Sequence, residues 1–499
     1  MTALIIHGHF YQPPRENPCT GIIEQQPGAH PFHDWNERIH AECYWPNAFV
    51  SNGFSEPGNN YANVSFNFGP TLLSWLETHH LGAYQRILDA DRDSAGNHGG
   101  HGNAIAQAYG HAILPLCNDR DRLTQVLWGL ADFRYRFGRE AESLWLPETA
   151  CNEQTLDLLI EQGLRFVILA PGQASRVKPG DAWQDASGGY IDPSQPYKYV
   201  HRTQRRRSLA VFFYDGQLAQ AIAFGDALQS SQRLVSLIKL ASTRGPLVNV
   251  ATDGETYGHH FKFGDLALAH ALDVEIKDKD IWLTNYGEFL DQHAPEVEVE
   301  INSGPNGEGT SWSCAHGVGR WQRDCGCHTG GEPGWNQQWR APLRASLDWL
   351  RDTLSLQFEE LGRDFLRDPW DARNAYIDLI LDPKQRPADF LSKHARRELS
   401  VTDQARALLL LEMQRNALLM YTSCGWFFSE ISGIETVQIL RYAARAIDLV
   451  EDLGLSSPRA RFLEMLAEAR SNVVELGNGA NIFKRLFETD ALVLSSSGV

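Results

Sequence analysis

An α/β fold over roughly the first 300 residues, followed by a mostly helical part, is the class this sequence predicts. Three observations carry it. Short apolar runs rich in Val, Ile, Leu and Phe recur at Ala3–Ile6, Ser143–Leu146, Arg165–Leu169, Leu209–Phe213 and Leu247–Ala251, as strands buried on both faces do. Helical stretches lie among them at Asn103–Leu116, Gln154–Gln162, Ser230–Ala241 and Asp265–Val274. That order implies parallel strands with crossover helices, in an open sheet or a barrel. From about Trp339 the pattern turns helical, with Asp403–Met420, Val437–Leu449 and Pro458–Leu476 as the main segments.

At 499 residues the chain exceeds what one core organises, so two packed units are expected. The boundaries read as 1–301 for the α/β unit, 302–337 for a connecting stretch and 338–499 for the helical unit. The connecting stretch is dense in Gly, holds Trp312, Trp321 and Trp335, and has no period. Trp and Cys are poor disorder formers, so it reads as an ordered loop near a site. The tail, Leu494–Val499, reads as frayed.

The formal net charge of −17 argues against nucleic acid as a partner. The short basic run Arg202–Arg207 reads as a solvated loop. No segment approaches the roughly 20 apolar residues that span a bilayer, and the opening apolar stretch is too short for a signal peptide. Eight cysteines in a chain this long do not make a disulfide scaffold, and reduced thiols in the cytoplasm are the simpler reading. Fourteen tryptophans hint at flat surfaces for sugar rings.

Polar residues stand where strands should end, which is where parallel α/β folds place their sites. After the first strand come His7, His9 and Gln12. The two histidines alternate along an extended chain and share a side. They could bind a metal, contact a substrate, or simply satisfy backbone carbonyls. Next, the strand around Leu144–Leu146 carries Trp145 and is cut by Pro147, which frees Glu148 to turn outward. After the last strand, Asp253 is followed by Gly254, Glu255, His259 and His260, too many ionisable neighbours for a helix cap alone. His111 lies in the stretch read as a helix. Two carboxylates on separate strand ends fit glycoside hydrolysis, one attacking the anomeric carbon and the other protonating the leaving oxygen.

These stretches together resemble glycoside hydrolase family 57. LIIHGHFYQPP, QAYGHAILPL, LWLPET, NVATDGETYGHH and YTSCGWFF are similar, in order, to that family's five motifs. The motifs GHFYQPPRE and CGWFF mark a subgroup of it. The resemblance implies an incomplete (β/α)7 barrel with an attached helical domain, Glu148 as nucleophile and Asp253 as acid/base. It further implies an α-glucan or malto-oligosaccharide substrate, a retaining outcome, and no required metal or other cofactor. Trp426 of the fifth motif is the implied aromatic over the active site. His7, His9, Gln12, His111, Trp145, Glu255, His259, His260, Trp312 and Trp321 are expected to serve the substrate. Amylase, 4-α-glucanotransferase and branching activities all remain open, and the sequence leaves the oligomeric state unset.

Two rival functions stand beside this one. A metal-dependent polysaccharide deacetylase would use His7, His9 and Asp253 as ligands and leave Glu148 without a role. A non-catalytic glucan-binding protein would keep the scaffold and lose the turnover. Separately, Cys314, His316, Cys325, Cys327 and His328 offer soft ligands for a structural zinc. They lack the usual C-x2-C pairs, so a loop with locally packed thiols is the preferred reading.

Overall fold

The computed structural model describes residues 1–51, 57–276, 280–382 and 384–486. The Leu494–Val499 tail lies outside them. The chain divides into two compact units. The first comprises residues 1–12, 24–109 and 132–312, and the second comprises 13–23, 110–131 and 313–499.

Among the described residues, twelve strands build the first unit: β1 (Thr2–Phe10), β2 (Ser65–Phe68), β3 (Ala106–Gln107), β4 (Leu144–Trp145), β5 (Phe166–Leu169), β6 (Ala174–Lys178), β7 (Gln184–Asp185), β8 (Tyr197–Val200), β9 (Ser208–Phe213), β10 (Leu247–Asp253), β11 (Ile281–Leu283) and β12 (Glu298–Ile301). Strand β1 is its axis. It runs parallel to β10 over Ala3–His9, to β11 at its start, and to β2 at its end. Ala3 to Phe10 are all buried, as two-sided burial of an apolar run requires.

Parallel pairing continues outward from β1. An isolated bridge joins Phe66 to Ala104, β3 pairs with β4, a second bridge joins Ser143 to Phe166, and β5 pairs with β9. The Asp215 N–H, just past β9, donates to the Asn249 carbonyl of β10 at 2.8 Å. Strand β9 also begins a mixed extension, β9-β8-β12-β6-β7. Ile5, Ile6, Phe166, Ile168, Phe212, Val250 and Ala251 belong to one buried apolar cluster covering both faces of these strands.

The helical part of the second unit packs Arg340–Phe365, Val401–Leu419 and Ile434–Asp452 against one another. Two earlier segments belong to it. Residues 110–131 are held by a buried ion pair, Arg373 to Asp121 at 2.7 Å, and by the Trp128 indole N–H on the Asn374 carbonyl at 3.0 Å. Residues 13–23 are held by Gln438, whose amide donates to the Glu16 carbonyl at 2.8 Å.

Three expectations need correction. The boundary expected at residue 301 falls at 312, because Cys151 and Thr310 exchange backbone hydrogen bonds of 2.9 and 3.0 Å that bind residues 302–312 into the first unit. Asn103–Leu116 is not a helix. It holds β3, whose backbone pairs with β4, and ends in a single 3-10 turn at Leu114–Leu116. The helix placed at Pro458–Leu476 stops at Leu466.

Gly254 sits where β10 leaves the sheet, and a Cβ there would lie 2.3 Å from the Phe10 ring. That ring is 2% exposed and stacks on Phe68 at 4.8 Å, so it has nowhere to retreat. Gly254→Ala is therefore expected to cost about 1–3 kcal/mol by overpacking, read as a lower urea midpoint at unchanged slope.

Candidate active site

Polar side chains gather at the carboxyl ends of β1, β2, β3, β4, β9 and β10. Asn67 of β2 is the hub. Its Oδ1 accepts from His7 Nε2 at 3.1 Å, while its Nδ2 donates to His9 Nδ1 at 2.9 Å and to Gln107 Oε1 of β3 at 2.8 Å. The Ser65 hydroxyl meets His7 Nδ1 at 3.0 Å. With Nδ1 accepting from the Asn67 amide, His9 is neutral and carries its proton on Nε2, while His7 donates from Nε2. Burial agrees, since it drives the pKa of each down to about 3. Both rings stack on Trp145 of β4, at centroid distances of 4.8 and 4.9 Å.

Glu148 follows β4 in a 3-10 turn, Pro147–Thr149, and adopts φ 59°, ψ 23°. Thr149 is also left-handed, at φ 49°. Two consecutive non-glycine residues in this region hold strain that surrounding contacts must offset. Those contacts are present. Gln173 Nε2 donates to the Thr149 carbonyl at 2.8 Å, and the Trp312 N–H donates to the Glu148 carbonyl at 3.0 Å. Gly309 is needed for the approach of this strap: its φ is 102°, and a Cβ would stand 2.4 Å from the Cys151 carbonyl oxygen. The strap then places the Trp312 indole N–H on Glu148 Oε2 at 3.1 Å.

Asp253 closes β10 opposite this turn. Its side chain is exposed to water yet crowded by protein, as a group on the wall of a cleft is. That crowding, with the Glu148 charge beside it, pushes its pKa up to about 7. Tyr214, directly after β9, is held well above the usual tyrosine range by burial and by the Asp253 charge, and it meets Trp312 edge-on at 6.4 Å. Glu255 lies one step further in. It accepts from the Tyr44 hydroxyl at 2.6 Å and from the Tyr11 N–H at 3.0 Å, and burial lifts its pKa to about 8. Asp253 ionises first, and its charge then adds to the penalty on Glu255. The arrangement holds one carboxylate, Glu148, hydrogen-bonded beside one carboxylic acid that keeps its proton to near neutrality.

The other expected residues fall into three groups. Gln12 and His259 are half-buried and His260 is exposed, with His259 bonded through Nδ1 to Glu42. His7, Trp145 and Glu255 were expected to touch substrate, but they are 0%, 1% and 6% exposed and act as supports behind the cleft wall. His7 has also committed both ring nitrogens to Ser65 and Asn67, which works against a His7, His9 and Asp253 metal set. His111, Trp321 and Trp426 belong to the second unit and are 1%, 0% and 1% exposed, so none presents a face to a ligand. His111, at φ 52°, bonds the Ser423 hydroxyl at 2.6 Å, and the Trp321 indole donates to the Ser423 carbonyl at 3.2 Å. Ser65, Asn67, Gln107, Tyr44 and Tyr214 escaped sequence reasoning. Only Tyr214, an aromatic hydroxyl directly after an apolar run, left a readable signal.

In the cysteine stretch, the ligand atoms of Cys314, His316, Cys325 and Cys327 lie within 4.8 Å of one another. His328 is not among them: it is exposed, with Nδ1 3.4 Å from the Gly330 carbonyl.

A model of glycosyl hydrolase family 57 matches residues 35–302, more than half of the chain. The chain belongs to glycosyl hydrolase family 57. A second model, a domain of unknown function (DUF3536), matches residues 335–499. An alpha-amylase 1 of Dictyoglomus thermophilum is 25% identical over 241 residues, which is 48% of this chain and 31% of that longer protein. The chain thus spans about a third of that curated relative. An exo-type maltose-forming amylase from Pyrococcus sp. ST04 shares the fold at a TM-score of 0.67, with 15% identity over 94% of this chain and 82% of that one. A family 57 branching enzyme from Pyrococcus horikoshii does so at 0.56, with 14% identity over 98% of this chain and 94% of its own.

The raised Asp253 pKa has a testable cost. A native pKa above the unfolded value means stability that is full below about pH 4 and is lost as pH rises through about 7. Asp253→Asn removes that loss. Its melting temperature is expected to exceed the parent's by a margin that widens between pH 4 and pH 8. A margin independent of pH would show that Asp253 titrates normally.

Proposed function

We propose that this family 57 chain is a retaining α-glycosidase or transglycosylase acting on α-glucan, with Glu148 as nucleophile and Asp253 as acid/base. The observation that carries the reading is the placement of two carboxyls at the ends of β4 and β10, one held by the Trp312 indole N–H and the other raised in pKa by crowding and by its neighbour's charge. A general acid for glycoside cleavage needs that property, and the nucleophile beside it must stay ionised. The order β1, β2, β3, β4, β5, β9, β10 supports an incomplete (β/α)7 barrel, with the gap between β9 and β10, which do not pair as a ladder and are linked by the Asp215 N–H on the Asn249 carbonyl and by Asn249 Nδ2 on the Phe213 carbonyl at 3.2 Å.

The mechanism follows from these groups. The Trp312 N–H holds Oε2 of Glu148, and the second oxygen attacks the anomeric carbon. The glycosidic bond breaks as Asp253 gives its proton to the departing sugar oxygen. Glu148 is then an ester and Asp253 a carboxylate. Asp253 takes a proton from water or from a sugar hydroxyl, whose oxygen attacks the anomeric carbon and releases Glu148. Water yields hydrolysis and a sugar hydroxyl yields transfer. Gln12, half-buried, and His260, exposed, serve the sugar hydroxyls, Trp312 offers the flat face, and His9, at 5% exposed, backs the wall with His7. The relatives named as amylases and as a branching enzyme favour a glucan of α-linked units. A cytoplasmic location accords with the free thiols.

Glu148→Gln is expected to lower kcat/KM on malto-oligosaccharides by about 10⁴-fold or more, with the fold intact by circular dichroism. Full activity in that variant would remove Glu148 from the mechanism. Asp253→Asn should lose about 10²–10⁴-fold on natural glucan and far less on aryl glycosides whose leaving group needs no proton. Equal losses on both would deny it the role of acid. For the parent chain, kcat/KM should fall on the basic side with an apparent pKa of about 7. Trp312→Phe, which keeps the ring and removes the donor, should cost about 1.5–3 kcal/mol of transition-state stabilisation, measured as kcat/KM.

A further inference from the structure

We infer that Cys314, His316, Cys325 and Cys327 bind one zinc ion in a closed tetrahedral site within the second unit, reversing the preference drawn from their spacing. The argument begins with distances. Cys314 Sγ lies 3.8 Å from both Cys325 Sγ and Cys327 Sγ. A disulfide needs about 2.05 Å, so these sulfurs are unbonded. Zinc at about 2.3 Å from each sulfur in a tetrahedron sets sulfurs about 3.8 Å apart, and a nitrogen ligand about 3.5 Å from a sulfur. His316 Nδ1 stands 3.4 Å from Cys327 Sγ. Three edges of the ligand set thus already have the lengths of a zinc-sized tetrahedron, and the remaining ones are within 4.8 Å.

The surroundings match a thiolate–zinc centre. The backbone N–H groups of His316 and Arg320 point at the Cys314 sulfur, and that of Ala315 at the Cys327 sulfur. Such N–H donors are the outer contacts that orient sulfur ligands. Three thiolates around a doubly charged ion leave one net negative charge. Two guanidiniums offset it: Arg340, 0% exposed, and Arg320, 6% exposed. Arg340 also donates to the Cys327 carbonyl at 2.7 Å, and Arg320 to the Phe427 carbonyl at 3.1 Å. No helix or strand spans residues 313–328, apart from one 3-10 turn at Gly319–Trp321. A metal supplies there the cross-link that backbone pairing does not. Through Arg320, Arg340 and Trp321 the cross-link steadies the segment Ser423–Phe428.

The test uses the full chain purified without chelators from zinc-supplemented cells. Mass spectrometric metal analysis should find close to one zinc per chain. Cobalt exchanged into the site should give the intense visible bands of tetrahedral thiolate coordination. The pair Cys325→Ser and Cys327→Ser should lower bound zinc at least tenfold. If that pair does not fold, His316→Cys decides: it should keep one zinc and move the cobalt bands to a four-thiolate pattern, and unchanged bands would remove His316 from the site. The inference fails if the parent chain carries less than a tenth of an equivalent of zinc. It also fails if Cys314, Cys325 and Cys327 alkylate as fast as the exposed Cys19 with metal present. None of these readouts depends on glucan activity.

Discussion

Two carboxyl groups within reach of each other's charge, on the ends of two different strands, set the terms for the rest of the first unit. Like charges crowded into a cleft wall cannot both ionise at neutral pH, so the fold must favour one and disfavour the other. It favours Glu148 with the Trp312 indole N–H and disfavours ionisation of Asp253 by crowding. The neutral histidines, the protonated Glu255 and the Asn67 hub form an uncharged backing to the pair. The left-handed backbone at Glu148 and Thr149 is the conformational cost of the turn that carries Glu148. The strap formed by residues 302–312 holds it there.

The strands that proved readable are those whose apolar runs are long enough to stand out. Strands β1, β5, β9 and β10 fall where Val, Ile, Leu and Phe cluster. Strand β4 was found as a run of four, although only Leu144 and Trp145 pair. Strands β2 and β3 were not legible. The first, Ser65–Phe68, mixes two polar residues into four, because both polar side chains face the histidines of β1. The second is two residues long and sits in Ala-rich sequence that reads as helix on composition alone. Its backbone found partners in β4, and tertiary pairing overrode local propensity there.

The site was legible to the same degree and for the same reason. Glu148 and Asp253 stand immediately after recognisable strands, and their pairing needed only the rule that sites gather at strand ends. Assigning support roles failed where burial decided the outcome. Trp145, Trp321 and Trp426 suit sugar rings by type, yet each is buried, and burial depends on neighbours distant in the chain. Asn67, Gln107 and Tyr44 were invisible because amides and phenols carry no signature until their partners are placed. In the cysteine stretch, three sulfurs separated by C-x10-C-x-C converge through the turn at Gly319–Trp321, and sequence distance understates that convergence.

The indole that holds Glu148 comes from 164 residues further along the chain. During synthesis from the N-terminus, the turn at Glu148, the strand end at Asp253 and everything between them leave the ribosome before Trp312 does. Until then the turn lacks the strap that offsets its left-handed backbone. The nascent chain therefore carries both carboxyls of the proposed site before the indole that bonds one of them has been made.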